Sequence, residues 1–176
     1  MLKNLTKKMP ALLALVAVFI SAGALWAGTV NIAIPYLYTD GYMVTYCLIS
    51  NLTKADNTTT TDNTTTTTFK VMTTETGGAA QTAHTIASQY APIPGVTRML
   101  TFSKNAIYNR TGTLVVSLSD ELPSGTMTAY TGMLTITSST ATCKTITMTC
   151  LQTQSGITEK RFAGYTCDDG TNVLAY

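Results

Sequence analysis

Four cysteines, one histidine and nine carboxylates are the side chains of this 176-residue chain that could do chemistry beyond packing. Cys47, Cys143, Cys150 and Cys167 could hold a metal, exchange electrons or pair with one another. No two of them stand as CxxC, the spacing that thioredoxin-type exchange and zinc ribbons use. No CxxCH offers covalent haem attachment. An even number of cysteines in an exported chain reads as two disulfides. His84 would have to be the base of any Ser-His-Asp triad. Its surroundings, Gln81-Thr82-Ala83-His84-Thr85, carry no signature, and no GxSxG elbow occurs. A catalytic zinc asks for more than one histidine or for free thiolates. The carboxylates are Asp40, Asp56, Asp62, Glu75, Asp120, Glu121, Glu159, Asp168 and Asp169. A glycosidase needs two of these across a cleft. Most lie at turn positions, where aspartate accepts local backbone N–H bonds. Cys167-Asp168-Asp169-Gly170-Thr171-Asn172 has oxygen donors but matches no EF-hand loop. The expectation is a chain without catalytic residues, cofactor or metal.

Side chains that could make contacts are more plentiful. Nine tyrosines, at positions 36, 38, 42, 46, 90, 108, 130, 165 and 176, could form platforms for sugar rings. Asn51, Asn57, Asn63 and Asn109 each begin an N-x-Thr sequon and are candidate glycosylation sites. Threonine, about a fifth of all residues, recurs as Thr-x-Thr at 126/128, 135/137 and 145/147/149. Such pairs put hydroxyls and methyls on one face of a strand. The irregular spacing between pairs reads as ordinary sheet surface rather than a flat ice-ordering lattice.

These residues must be positioned by strands. Val30, Ile32 and Ile34 alternate with Thr29, Asn31 and Ala33, the period of a half-buried strand, and Pro35 predicts that it lies at a sheet edge or ends there. Asp40-Gly41 predicts a hairpin turn into a strand over 42–50, apolar on both faces and therefore central. Residues 51–68 form a low-complexity Thr/Asn segment read as a surface loop, with strand ends reaching Thr66–Thr68. Strands follow near 69–72, 96–103, 113–119 and 126–137, with 79–90 leaning to strand over helix. Residues 142–153 and 157–166 read as a hairpin about Gln154-Ser155-Gly156. Four cysteines permit three pairings, of which this hairpin suggests one: folding it brings Cys143 opposite Cys167, which would leave Cys47 with Cys150. Cys143 and Cys150 face opposite sides of one strand. About nine short strands without βαβ alternation predict an all-β, antiparallel sandwich rather than a doubly wound sheet or a solenoid.

Composition and the first residues suggest a compartment. Lys3, Lys7 and Lys8 precede the apolar run Ala11–Ile20 and the small residues Ser21–Gly28, the order of a secretory signal peptide. Cleavage after Ala24 or after Ala27 fits. The second is favoured because strand pattern begins at Thr29, which makes 1–27 a leader and 28–176 one domain. A retained membrane anchor is the alternative reading of the same run. Charged residues are only 11% of the chain. Without the leader's lysines, eight cations face nine anions, so no basic stripe remains for nucleic acid. The membrane is met only through the signal peptide.

The segment Ala27-Gly28-Thr29-Val30-Asn31-Ile32-Ala33-Ile34-Pro35-Tyr36, followed by Cys47-Leu48-Ile49-Ser50-Asn51, resembles small exported bacterial β-sandwich proteins of immunoglobulin-like type, whose functions are poorly known. The resemblance covers the N-terminal third. It implies periplasmic, cell-surface or extracellular placement and brings no catalytic residues. The expected function is that of a non-enzymatic structural or adhesive subunit, binding itself or other envelope components through the edge near Thr29–Ile34. A carbohydrate-binding module using the tyrosines is the alternative. A secreted hydrolase is the third reading, limited by the single histidine.

Overall fold

A computed structural model describes residues 28–53, 65–75, 77–78, 82–122, 127–154 and 160–176. The expected leader, the Asn57 and Asn63 sequons and the centre of the Thr tract lie outside these residues. Thirteen strands occur among the described residues, more than the expected nine. They are β1 (Gly28–Tyr38), β2 (Met43–Asn51), β3 (Thr66–Thr74), β4 (Gly77–Gly78), β5 (His84–Ile86), β6 (Thr97–Ser103), β7 (Ala106–Asn109), β8 (Leu114–Ser117), β9 (Ala129–Ser138), β10 (Ile146–Gln154), β11 (Lys160–Ala163), β12 (Thr166–Asp168) and β13 (Val173–Ala175). The surplus comes from pieces of two to four residues, too short for a period of two to stand out.

All pairings are antiparallel. A seven-stranded sheet runs β13-β12-β1-β9-β3-β4, with β5 also on β3, and a six-stranded sheet runs β11-β10-β2-β6-β7-β8. Their inner faces make one core, as in a β-sandwich. Val30, Ile32, Ile34, Phe69, Val71, Leu134 and Ile136 come from the first sheet, and Cys47, Ile49, Leu100, Phe102, Ile107 and Met148 from the second. The Phe69 and Phe102 rings meet between the sheets with centroids 5.3 Å apart. Burying each contributes about 1.5–3 kcal/mol. Gly132 makes the Phe69 position usable, since a Cβ there would overlap the Phe69 ring.

Several expectations change. β1 is not an edge strand: β9 lies along one side, and β12 covers Asn31–Ala33 on the other. Pro35 sits where the ladder slips between Ile34 and Leu37, a bulge that demands no N–H from it, and Tyr36 follows with φ 59°. Asp40-Gly41 does not close a hairpin, because β1 and β2 belong to different sheets. It turns the chain between layers, with Asp40 Oδ1 accepting the Met43 N–H at 3.2 Å. The expected loop over 51–68 is shorter at both ends: Asn51 closes β2, and Thr66–Thr68 pair with β9 and β5. Thr65 and Thr67 are buried there while Thr66 is exposed, so threonine methyls serve as core where composition suggested only surface. Within 79–90 the described part divides into β5 and a 3-10 turn at Ser88–Tyr90.

Candidate binding face

Both expected disulfides are present, Cys47–Cys150 and Cys143–Cys167, and no described cysteine is free. Their settings differ from the hairpin argument. Cys47 and Cys150 are directly opposite on neighbouring strands β2 and β10, with Cα atoms 4.1 Å apart. The hairpin of β10 and β11 pairs Cys150 with Ala163. Cys143 precedes β10, whereas Cys167 lies on β12 of the other sheet. The second bridge therefore ties the β9–β10 connection to β12 and is not a strand-to-strand link within a hairpin. All four sulfurs are consumed in structure.

His84 Nε2 lies 3.0 Å from Glu121 Oε1, and the Glu121 side chain is 2% exposed. Nothing in the 37-residue separation signals this pair. The pair ties β5 to the segment after β8. Among the described residues no three His, Cys, Asp or Glu side chains gather as metal ligands. Asp168 Oδ1 accepts the Gly170 N–H at 2.8 Å. Asp169 accepts N–H bonds from Cys143 at 2.9 Å, Thr171 at 3.0 Å and Asn172 at 2.7 Å. The Cys143 N–H, then that of Asn172, holds the Asp169 carboxyl down to about 2. These oxygens cap backbone and are engaged there, as the turn reading of the aspartates expects.

Of the two described sequons, Asn51 is buried. Its Nδ2 donates to the Pro92 carbonyl at 3.1 Å, and its Oδ1 accepts the Thr53 N–H at 3.1 Å. Sugar could be attached there only before the sandwich closes. Asn109 is half-buried and its Oδ1 accepts the N–H groups of Thr111 and Thr113 at 3.0 and 2.8 Å.

The tyrosines scatter. Tyr130 is in the core, and burial pushes its phenol far above the usual range. Tyr165 and Tyr176 stack with centroids 4.9 Å apart. Tyr36 and Tyr42 are exposed at the β1–β2 corner. Tyr46 and Tyr108 alone share a ladder row, one the sequence did not single out. Strand register aligns Phe162, Leu151, Tyr46, Thr101, Tyr108 and Leu114 straight across β11-β10-β2-β6-β7-β8. The neighbouring row contains Leu48 and Met99. Those on β11, β10, β2, β6 and β7 have the parity opposite to the core-facing Ala163, Cys150, Cys47, Leu100 and Ile107, so they face outward, and Leu114 joins them across a bulge that separates it from the buried Val116. Phe162 is 81% exposed, Leu114 54% and Leu48 49%.

Three adjoining grooves cover this face. One of about 620 Å³ lies over Tyr46, Leu48, Met99 and Leu151. A second, about 420 Å³, is lined by Tyr46, Thr101, Ser103, Lys104, Tyr108 and Arg110. The third, about 680 Å³, continues past Met99 and Arg110 to Tyr90 and Arg98. Their charged lining residues are Arg98, Lys104 and Arg110, and no carboxylate lines any of the three.

No protein-family model matches the chain, and no curated protein or solved structure is significantly similar to it. Among the described residues no helix is long and apolar enough to cross a membrane.

Proposed function

We propose that this chain is an exported, non-enzymatic β-sandwich that works by contact, as a structural or adhesive protein of the cell surface or its surroundings. The observation that carries the reading is the uncovered row Phe162–Leu151–Tyr46–Thr101–Tyr108–Leu114 on the outer face of the six-stranded sheet. Apolar groups aligned in this way mark a surface that meets something else. The contact face is this one and not the Thr29–Ile34 edge, which β12 occupies. Two disulfides are compatible with an oxidising compartment, and the leader read over residues 1–27 supplies the route.

Two measurements test the reading. The intact mass from the native host should match Gly28–Tyr176 with both disulfides closed. A full-length mass with free thiols would defeat the export claim. Replacing Tyr46 and Phe162 by serine should then abolish the protein's sedimentation with cells or its self-association. Unchanged sedimentation and association would remove this face from the function.

A second reading, a carbohydrate-binding module, is favoured by Tyr46 and Tyr108 on either side of the short Thr101. Their strands are two spacings apart, about 9–10 Å, a span that suits alternate sugar rings of an extended chain.

A further inference from the structure

We infer that the Tyr46–Tyr108 half of this face takes an acidic polysaccharide, its sugar rings on the two tyrosines and its carboxylates on Lys104 and Arg110. The inference rests on the carbohydrate reading and names the class of sugar.

The groove between the tyrosines has a low polar floor, because Thr101 stands between them and Ser103 lies next on the same face of β6. Apolar ring faces at the sides and hydroxyls beneath suit a pyranose, which is apolar on its faces and polar at its rim. Charge then selects among sugars. The chain beyond Ala27 has eight cations and nine anions, yet the charged lining residues of the grooves are all cationic. Asp40, in the turn beside Lys104, has its Oδ1 on the Met43 N–H.

Both cations are mounted on tight turns. Lys104 occupies the β6–β7 turn with φ 54°, and its N–H reaches the Asp40 carbonyl at 3.3 Å. Arg110 occupies the β7–β8 turn, which Asn109 Oδ1 closes by accepting the Thr111 and Thr113 N–H groups. Backbones held in this way lose little freedom when an anion arrives. Two or three cations are too few to bind a nucleic-acid backbone tightly. They are enough to discriminate an acidic sugar polymer from its neutral counterpart, where stacking supplies the remainder.

The test uses the complete chain as exported by its host and two probes, polygalacturonate and its fully methyl-esterified form, which share sugar and linkage and differ in the carboxylate charge. Polygalacturonate should bind and the ester should not. Tyr108→Ala should weaken polygalacturonate binding about tenfold, the loss of one stacking contact and its buried area. Lys104→Gln with Arg110→Gln should weaken it at least as much and flatten its salt dependence. A Thr68→Ala, Thr135→Ala variant on the opposite sheet should bind like the parent. Disulfide content and circular dichroism confirm that each variant is folded. Equal binding of both probes would overturn the acidic assignment and leave the carbohydrate reading standing. No binding to either, or binding indifferent to all these substitutions, would overturn both. If self-association or cell attachment still responded to Tyr46, the adhesive reading would survive alone.

Discussion

The outer faces of the two sheets are made on the same pleat from the same chain, and they are chemically opposite. On the seven-stranded sheet, register aligns Thr85, Thr68, Thr135, Asn31 and Asp168 in one row and Thr66, Thr137 and Thr29 in the next. Their side chains bond to one another: Thr135 Oγ1 donates to Asn31 Oδ1 at 2.9 Å, and Thr29 Oγ1 lies 3.4 Å from Thr137 Oγ1. This face is a hydroxyl surface complete in itself. The six-stranded sheet aligns phenylalanine, leucine and tyrosine instead, flanked by lysine and arginine. In a chain so poor in charge, threonine provides the solvated side through β-branching and a hydroxyl. Where threonine thins out, water is left against apolar groups, and that is the side with a reason to bind.

The largest effect expected from separating the two regions is on stability. Replacing Cys47 and Cys150 by alanine removes a link of sequence separation 103 inside the six-stranded sheet. It should cost about 4–5 kcal/mol in urea unfolding. The bridge Cys143–Cys167, separation 24, should cost about 3 kcal/mol on the same loop-closure argument. A reversed order would mean that fixing the β9–β10 connection on β12 matters more than closing the longer loop.

Gly132→Ala should come next. Its methyl meets the Phe69 ring with Leu37 alongside, and overpacking of this kind costs about 1–3 kcal/mol. The melting temperature reads it out, and polygalacturonate binding per folded molecule should not change. Loss of binding at full stability would show that the core, not the outer row, sets the face.

The third effect contrasts the faces directly. Tyr46→Ala should lower binding about tenfold, while Thr135→Ala should change neither binding nor, beyond about 0.5 kcal/mol, stability. Equal losses in both would erase the distinction.

The smallest effect is a pH dependence beside the Cys143–Cys167 bridge. Asp169 is held down to about 2 by the Cys143 and Asn172 N–H groups. Because the folded value lies below the unfolded one, its contribution is fully present above about pH 4, the ordinary carboxylate value. It is lost as the pH falls through about 2. The stability gap between the parent and Asp169→Asn should therefore narrow between pH 4 and 2. A carboxyl resonance of Asp169 titrating near the ordinary value would show that this cap does not form in solution.

β2 shows how much of the fold and face was legible. Tyr46 and Leu48 alternate with Cys47 and Ile49, and apolarity on both sides was read as a central strand. Central it is, between β10 and β6. But centrality in a sheet concerns the strand's edges, and one of its faces is open. The signal of the exposed apolar face was present and was taken as burial. Tyr108 gave less warning, since β7 has only four residues and no periodicity to recommend it. Of the two readings of Pro35, an edge or the end of the regular ladder, the second holds, because a bulge frees a proline from the ladder as well as an edge does. Glu121 could not be matched to His84 by any local pattern.

Local chemistry by itself determined that this chain makes strands, because β-branched residues alternating with apolar ones leave few other solutions. It also suggested that the four cysteines pair, while which pairs form was decided by the packed strands. Only the tertiary structure decided which strands lie side by side. Neighbours in a sheet are chosen by contacts between distant segments, and a shift of one residue would have turned every outward side chain inward. Tyr46 and Tyr108 are separated along the chain by β3, β4 and β5 of the other sheet, and stand in one row only because β6 came between them.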